Sequence, residues 1–139
     1  MTTAREIMSS DVTCVRESES LLEAATRLRD LDVGALPICG DDDQLKGMLT
    51  DRDIVVKVLA EGRDPGAVRA GELAQGEAVT IGADDSLDET IRTMKEHGVR
   101  RVPVIDGHQL VGIVSQADVA VNLPEDRVGD LVEAISAAP

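Results

Sequence analysis

The sequence predicts a mixed α/β (α+β) fold with two copies of one β-α-β-β-α unit, related by a pseudo-twofold axis, and an extra C-terminal helix. Three observations predict this fold. The chain repeats itself at a nearly constant spacing, short runs of β-branched residues alternate with apolar stripes at helical spacing, and Ser-x-x-Glu signals mark helix starts. The 139 residues are enough for one ordinary domain or for two very small ones.

The repeat defines the predicted domain boundaries. Ser20-Leu21 in the first copy corresponds to Ser86-Leu87 in the second, and Gly47 corresponds to Gly112 after a short deletion in a loop. Apolar residues at helical spacing near the end of the chain predict one further amphipathic helix. The predicted segments are residues 1–61 for the first copy, 62–69 for a linker, 70–123 for the second copy and 124–139 for the helical tail.

Each copy begins with a short strand and a capped helix. The strands are predicted at residues 12–15 and 78–82. The helices begin after Ser20 and Ser86, and a glutamate follows each serine at the spacing of a capping box, in which hydroxyl and carboxylate satisfy free backbone N–H groups reciprocally. The second of these helices is predicted to end at His97-Gly98, because glycine suits a left-handed helix terminus.

A hairpin and a last helix complete each copy. The last helices are predicted to start at Thr50 and Ser115. Pro37 and Pro103 lie inside the second strand of each copy, and since proline cannot donate a ladder hydrogen bond we expect both at sheet edges or unpaired positions. The hairpin strands are predicted at residues 33–39, 45–50, 99–105 and 110–115.

Composition and charge exclude several classes of function. The chain has 14 Lys and Arg against 27 Asp and Glu, so its net charge of −13 argues against binding to nucleic acid or to anionic membranes. It has no Phe, Tyr or Trp, so no aromatic side chain can stack on a base. The N-terminus has no apolar signal segment and no run is long enough to span a bilayer, which predicts a cytoplasmic protein unless export uses a route without such a signal.

Three short motifs in the chain are typical of a known family. They are Glu6-Ile7-Met8 near the start, Ala35-Leu36-Pro37-Ile38 in the second strand, and residues 47–54 at the third strand and last helix. Together they resemble the CBS domain family. Two copies in tandem resemble a stand-alone CBS pair, or Bateman module, and the whole chain with its tail resembles one group of small stress-response pairs. The second copy departs at residues 115–118, where the hydroxyl and the carboxylate remain but the Asp-Arg pair is lost. The resemblance implies a regulatory, ligand-sensing module that binds an adenosine nucleotide in the cleft between the copies.

Two hydroxyl–carboxylate pairs, Thr50 with Asp53 and Ser115 with Asp118, are the central candidates for a binding site. Their spacing alone fits a capping box. The resemblance implies that they contact the ribose and phosphate of a nucleotide, and free N–H groups at a helix start favour a phosphate there. The two interpretations are compatible, and the sequence leaves both open.

Three arginines are further candidates for phosphate contacts. Arg100 and Arg101 lie on a strand in the second copy, where they form either a local salt-bridge patch or a phosphate contact, and one of them should face solvent. Arg52 can bind a phosphate or be neutralised by Asp51 or Asp53. Because Arg52 lies beside Asp53, we expect the first copy to make the better phosphate contacts.

Aliphatic side chains should enclose the adenine, since the chain has no aromatic residue. The negative charge of the chain predicts weak binding, with AMP or ADP preferred over ATP, and no cofactor is required. The expected walls are Val12, Thr13, Val15, Val33 and Leu36 in the first copy, and Val79, Ile81, Val99 and Val102 in the second.

Metal binding and catalysis find no support in the sequence. His97 and His108 come without a C-x-x-C pattern, so we expect no zinc site. Residues 41–43, a run of three aspartates, lack the glycine and glutamate of a calcium loop and are expected to form a solvated hairpin tip. No nucleophile–base signature and no glycine-rich phosphate loop occur, so we expect that the protein is not an enzyme.

The two cysteines, Cys14 and Cys39, should lie close together, because a β-α-β crossover makes their strands parallel neighbours. One interpretation is a pair of buried free thiols in a reducing cytoplasm. The other is a disulfide, which we expect in protein exposed to air and which would stabilise the fold by closing a loop.

The helix that follows Asp53 predicts self-association. Residues 54–59 are apolar nearly all round, and a helix of that kind is buried on more than one side. A thin three-stranded sheet cannot cover both faces, so we expect a homodimer. The alternative to a nucleotide sensor is a signalling module that binds an unidentified protein partner and no nucleotide.

Overall fold

The computed structural model describes residues 2–75 and 79–136. The chain divides into two units, which we call the repeat-1 unit, residues 13–78, and the repeat-2 unit, residues 1–12 with 79–139. These units do not coincide with the sequence repeats, because the first dozen residues of the first copy belong to the unit built on the second copy.

The repeat-1 unit is built on one mixed sheet. Its strands, in spatial order, are β1 (Val15–Arg16), β2 (Ala35–Cys39) and β3 (Leu45–Thr50). β1 is parallel to β2, with Val15 opposite Ile38, and β2 is antiparallel to β3. α2 (Leu21–Leu31) connects β1 to β2, which confirms the predicted β-α-β crossover. β3 has its predicted bounds, whereas the strands predicted at 12–15 and 33–39 begin later.

Pro37 explains the short first strand. We predicted Pro37 at an edge or unpaired position, but β2 is the central strand and Pro37 is in register with Met48 of β3. The carbonyl of Cys39 accepts from the Glu17 N–H on the β1 side, and backbone groups alternate along a strand, so the nitrogen of Pro37 also faces β1. A proline nitrogen offers no donor, and the β1–β2 ladder therefore extends only from Ile38 onward.

The repeat-2 unit has the same sheet. Its strands, in spatial order, are β4 (Ile81–Gly82), β5 (Arg101–Asp106) and β6 (Gln109–Ser115). Pro103 likewise lies in a central strand, β5, so an edge position is wrong for both prolines. Their nitrogens are nevertheless unpaired, as the other alternative predicted, because β4 pairs only beyond Pro103, with Val104 and Ile105. β5 begins and ends later than predicted, and β6 begins earlier, at Gln109. Of the strand predicted at 78–82, residue 78 lies outside the described residues.

The helix that follows the first strand of each copy begins at a serine cap. The hydroxyl of Ser20 accepts from the Glu23 N–H at 3.2 Å, and α4 (Leu87–His97) has the same cap at Ser86. In both helices only the serine half of the predicted capping box forms, because the glutamate side chain does not bond back to the serine N–H. The negative charge of the Glu23 carboxylate instead helps to raise the pKa of the Arg27 guanidinium. α4 ends at Gly98, with φ of 60°, as predicted.

Shorter helices follow the hairpins. α3 (Asp51–Ile54) continues into a π-helical turn over Val55–Leu59, in which Val58 is buried while Val55, Val56 and Leu59 are exposed. In the repeat-2 unit, α5 (Gln116–Ala120) occupies the same place after β6. No helix among residues 2–75 and 79–136 is long and apolar enough to cross a membrane.

The tail forms the predicted amphipathic helix, α6 (Glu125–Ser136). Leu131 and Ile135 are buried in the core of the repeat-2 unit, among residues of α4 and the sheet. Nη2 of Arg127 lies 3.1 Å from Oδ1 of Asp88, so an ion pair joins α6 to the start of α4.

A second segment of the chain packs against a glycine in each hairpin. In the repeat-2 unit, α1 (Ala4–Ile7) leads into Ser9, which bridges to Ile113 of β6 beside Gly112. In the repeat-1 unit, a 3-10 turn at Ala70–Leu73 leads to Gln75, whose Oε1 accepts from the Met48 N–H at 3.0 Å. A Cβ at Gly47 would lie 2.6 Å from the Gln75 nitrogen, so the approach requires glycine.

Candidate functional site

Both hydroxyl–carboxylate pairs form complete capping boxes. Oγ1 of Thr50 accepts from the Asp53 N–H at 3.1 Å, and Oδ2 of Asp53 accepts from the Thr50 N–H at 3.0 Å. The matching distances for Ser115 and Asp118 are 3.1 and 2.8 Å. The capping interpretation is therefore confirmed, and it orders both side chains at the start of α3 and α5.

The two carboxylates differ in what their second oxygen contacts. Oδ1 of Asp53 lies 3.3 Å from Nζ of Lys57. The residue at the Lys57 position in the second copy is Asn122, whose Nδ2 donates to the main-chain oxygen of Asp118 at 2.8 Å. Within the described part of the chain, no cation contacts the carboxylate of Asp118. The sequence analysis missed this difference, although a lysine and an asparagine at equivalent helical positions were visible.

The side chains of the arginine pair in the second copy, Arg100 and Arg101, are exposed. Arg101 lies opposite Ser115 in the β5–β6 register, and the main-chain oxygen of Arg100 accepts from the Gln116 N–H at 2.8 Å. Both side chains are exposed, where we expected only one to be. Neither guanidinium forms an ion pair with any residue in ranges 2–75 and 79–136, so the salt-bridge interpretation has no support there.

Arg52 is also exposed. Of the two carboxylates expected to neutralise it, Asp53 pairs with Lys57 instead, and Asp51 accepts only from the backbone N–H of Arg52, at 2.8 Å. Its guanidinium therefore forms no ion pair within the described residues.

The residues expected to enclose an adenine fall into two groups. Val15, Leu36, Ile81 and Val102 are buried in the hydrophobic cores, so they support the sheets and present no surface to a ligand. The partly or fully accessible ones are Val12, Thr13, Val33, Val79 and Val99.

A polar network that sequence reasoning missed holds the chain ahead of β1. The guanidinium of Arg27 donates to both carboxylate oxygens of Glu19, at 3.1 and 2.8 Å, and to the main-chain oxygen of Cys14 at 2.9 Å. The hydrogen bond from Arg27 is the main reason that the pKa of Glu19 falls from 4.5 to about 2, and the N–H of Arg16 lowers this pKa further. No local motif joins these residues, because Glu19 precedes the helix that carries Arg27.

Cys14 and Cys39 form a disulfide, with their Cα atoms 5.8 Å apart. It joins the residue before β1 to the last residue of β2, where the two strands run parallel. Cys39 is buried, and the main chain at Cys14 is held by Arg27.

Among the described residues, no group of three or more His, Cys, Asp or Glu side chains could hold a metal ion. Two of the three tip aspartates are neutralised within the repeat-1 unit, Asp42 by Lys46 at 3.2 Å and Asp43 by Arg16 at 2.6 Å. Nδ1 of His97 contacts the main-chain oxygen of Thr93 at 3.0 Å.

Comparison with known proteins gives close matches over nearly the whole chain. The profile of the CBS domain family matches residues 4–60 and 70–125. The chain is 57% identical over 135 residues to Hypoxic response protein 1 of Mycobacterium tuberculosis, covering 97% of this chain and 94% of the relative.

Two solved structures are similar. The crystal structure of Hypoxic Response Protein I with two coordinated zinc ions has a TM-score of 0.82 and 58% identity, covering 88% of this chain and 100% of that one. The CBS domain pair of protein MJ0100 in complex with 5′-methylthioadenosine and S-adenosyl-L-methionine has a TM-score of 0.75 and 27% identity, covering 88% and 95%.

Proposed function

The chain belongs to the CBS domain family, and we propose that it is a regulatory CBS pair that senses an adenosine-containing small molecule and binds it weakly. The observation that carries the proposal is the hydroxyl–carboxylate pair that each copy orders at a helix start, Thr50 with Asp53 and Ser115 with Asp118. The MJ0100 pair, which is 27% identical, supports the ligand class, since its two ligands both contain adenosine.

The chemistry of such a pair suits a ribose. A carboxylate oxygen that is not used in the capping box can accept hydrogen bonds from ribose hydroxyls. The guanidinium groups of Arg52, Arg100 and Arg101, which form no ion pair within residues 2–75 and 79–136, offer donors to a phosphate. The net charge of −13 opposes a polyphosphate, and no aromatic side chain is present to stack on adenine, so we propose weak binding with AMP or ADP ahead of ATP.

A thermal-shift panel tests this function. The panel contains adenosine, 5′-methylthioadenosine, AMP, ADP, ATP and S-adenosyl-L-methionine, with GMP and UMP as matched controls. A ligand at 100 times its dissociation constant adds about 2.7 kcal/mol to the free energy of unfolding, so even weak binding raises the melting temperature at high ligand concentration. A rise with adenine compounds alone supports the proposal, and no rise with any of them at millimolar concentration contradicts it.

We also propose that the protein is a homodimer. Val55, Val56 and Leu59 on the π-helical turn are 55, 43 and 53% exposed in the single chain, and Val121 after α5 is 82% exposed. Three apolar side chains exposed on one helical turn mark an interaction surface, and Val121 is an exposed apolar residue at the equivalent place in the second copy. Light scattering should give twice the chain mass of 14.7 kDa at micromolar concentration, and a monomer mass would contradict the proposal.

The second candidate function is a module that binds a protein partner and no nucleotide. The same exposed apolar residues and the strongly negative charge favour it. A negative result in the thermal-shift panel, together with a monomeric mass, would favour this candidate. The exposed apolar residues would then be covered by no second copy of the chain, and a different protein would be needed to cover them.

The proposal includes no catalytic step and no required cofactor. The solved structure of Hypoxic Response Protein I contains two coordinated zinc ions, and among the described residues of this chain no group of three or more His, Cys, Asp or Glu side chains could hold a metal ion. The cysteines of this chain are joined in a disulfide and so cannot serve as thiolate ligands.

A further inference from the structure

A groove on the repeat-2 unit lies between the helices α4 and α6. It has a volume of about 410 Å³, in the range of sites that bind small molecules. Its lining, which we call the α4–α6 groove, consists of Asp88, Ile91, Arg92, Lys95 and Arg127. Ile91 is buried, and the four charged side chains are exposed. None of these residues belongs to the two hydroxyl–carboxylate pairs.

The α4–α6 groove is basic, although the chain as a whole is acidic. Its lining has three cations and one carboxylate, whereas the chain has 14 basic and 27 acidic residues. Within residues 2–75 and 79–136, neither Arg92 nor Lys95 forms an ion pair, even though Glu96 is exposed on the same helix. Arg92 and Lys95 are three residues apart on α4, where like charges are neighbours and repel each other. An anion in the groove would attract both.

The first copy shows that the repeat does not require this pair of cations. The positions of Arg92 and Lys95 are held on α2 by Thr26 and Arg29. The Thr26 hydroxyl donates to the main chain one turn earlier, at 3.0 Å, and Nε of Arg29 lies 2.9 Å from Oδ1 of Asp30. One position therefore has no charge, and the other has a cation that its neighbour neutralises. The fold does not explain the unpaired cations of α4.

The tail helix α6 adds the third cation, and it follows only the second copy. After the first copy, residues 62–69 contain no helix. Nη2 of Arg127 lies 3.1 Å from Oδ1 of Asp88, and the two side chains are 47 and 73% exposed. So exposed an ion pair contributes little to stability, and an incoming anion can therefore replace Asp88 as the partner of Arg127 at small cost.

We propose that the α4–α6 groove binds a small phosphorylated ligand, whose phosphate is held by Arg92, Lys95 and Arg127. A phosphate monoester carries about two negative charges and three acceptor oxygens, which suit three cationic donors. The net charge of −13 repels a polyanion such as nucleic acid more strongly than a ligand of a few charges, so a small molecule fits better than a macromolecule. This site is separate from the hydroxyl–carboxylate pairs, and it does not depend on the adenosine-sensing function.

Inorganic pyrophosphate is the probe, because it presents the phosphate chemistry without adenosine. In an NMR titration of labelled protein, the backbone amide signals of residues 88–95 and 127 should shift and saturate, whereas sodium chloride at the same ionic strength should not shift them. By calorimetry, Arg92→Gln and Lys95→Gln should each weaken pyrophosphate binding about three- to tenfold, since each removes a charged donor. Arg29→Gln, at the Lys95 position of the first copy, is the matched control and should leave the affinity unchanged. Melting curves establish that each variant is folded.

Asp88→Asn should act in the opposite direction. It removes the carboxylate that competes for Arg127, so pyrophosphate should bind about three- to tenfold more tightly. Asp30→Asn changes the net charge of the chain by the same amount and should have no effect, because Asp30 lies on α2, outside the groove. This control separates a local contact from the field of the whole chain.

The absence of saturable binding at millimolar pyrophosphate would overturn the proposal. Equal losses in Lys95→Gln and Arg29→Gln, or equal gains in the two Asp variants, would also overturn it. Shifts that fall on residues 50–53 and 115–118 instead of the groove would place the phosphate at the hydroxyl–carboxylate pairs and refute the separate site. Because pyrophosphate contains no adenosine, a negative result here does not bear on the proposed sensing function, which the thermal-shift panel tests by itself.

Discussion

The ion pair between Glu19 and Arg27 is the residue-scale contact with the clearest consequence for stability. Both oxygens of the carboxylate accept from one guanidinium, and the side chains are 20 and 29% exposed, so solvent screens the pair only partly. The pKa of Glu19 lies at about 2, against a usual 4.5. Because the folded state binds the proton less readily than the unfolded chain, the stabilisation is complete above 4.5 and is lost as the pH falls toward 2.

Glu19→Gln should therefore lower the free energy of unfolding by roughly 1–3 kcal/mol at neutral pH, and the difference from wild type should shrink as the pH falls from 4.5 toward 2. Urea unfolding at a series of pH values measures it. Glu96→Gln, at an exposed position of α4, is the control. A difference between wild type and Glu19→Gln that stays constant down to the lowest pH would show that the ion pair does not set the pKa.

At the scale of residues, the sequence predicted contacts between neighbours within one helical turn. It did not predict contacts between residues of different elements. The complete boxes at Thr50 and Ser115 were foreseen, because hydroxyl and carboxylate lie within one turn. The bond from Arg27 to the main chain at Cys14 was not, since it depends on how a helix packs beside a strand.

Strand lengths are the main difference at the scale of elements. Apolar patterning predicted a first strand at residues 12–15, and the structure has only Val15–Arg16. The cause is tertiary, because Pro37 lies opposite this segment and its nitrogen cannot continue the ladder. A proline in a single sequence shows that a donor is missing, but it does not show which neighbouring strand needed it.

The hairpin glycines set how closely a neighbouring segment can approach. A Cβ at Gly47 would meet both the backbone nitrogen and the side chain of Gln75 at 2.6 Å. Gly47→Ala should lower the free energy of unfolding by about 1–3 kcal/mol, because backbone atoms must shift to admit a methyl group. Urea unfolding measures the loss.

Gly129 of α6 is the control for this substitution, since a Cβ there meets nothing within 4 Å. Gly129→Ala should be neutral or should stabilise by up to about 1 kcal/mol, as alanine favours a helix. Equal effects of the two substitutions would contradict the packing argument at Gly47.

The contribution of the disulfide to the free energy of unfolding can also be measured. Cys14 and Cys39 close a loop of 25 residues, so reduction should lower the free energy of unfolding by roughly 3–4 kcal/mol in the loop-entropy model. The midpoint of urea unfolding should fall when a reducing agent is added, and the Cys14→Ser, Cys39→Ser double variant should not respond to the agent. A wild-type midpoint that is insensitive to reduction of the bond would refute the estimate.

At the scale of the whole molecule, the internal repeat predicted the fold but not which unit each segment joins. The repeat and its motifs predicted the mixed α/β fold and the resemblance to CBS pairs, and the comparisons confirm both, including the likeness of the whole chain to the hypoxic response protein. They did not reveal that residues 1–12 fold with the second copy. Periodicity identifies which segments are copies, and packing decides which copy a segment joins.

The net charge of the whole molecule bears on the central claim, which is that the chain binds an adenosine nucleotide. A chain of net charge −13 can bind an anionic nucleotide only where local positive charge offsets the field, and the exposed side chains of Arg52, Arg100 and Arg101 are the candidates for that role. Lys57 is paired with Asp53.

A titration of isotopically labelled protein with AMP, followed through its backbone amide NMR signals, tests this claim most directly. The account predicts that the signals of residues 50–53 and 115–118 shift and saturate with AMP, and that GMP has a smaller effect. No shift at millimolar AMP would contradict the sensing function. Shifts that leave both of these segments unmoved would contradict the role of the hydroxyl–carboxylate pairs in binding.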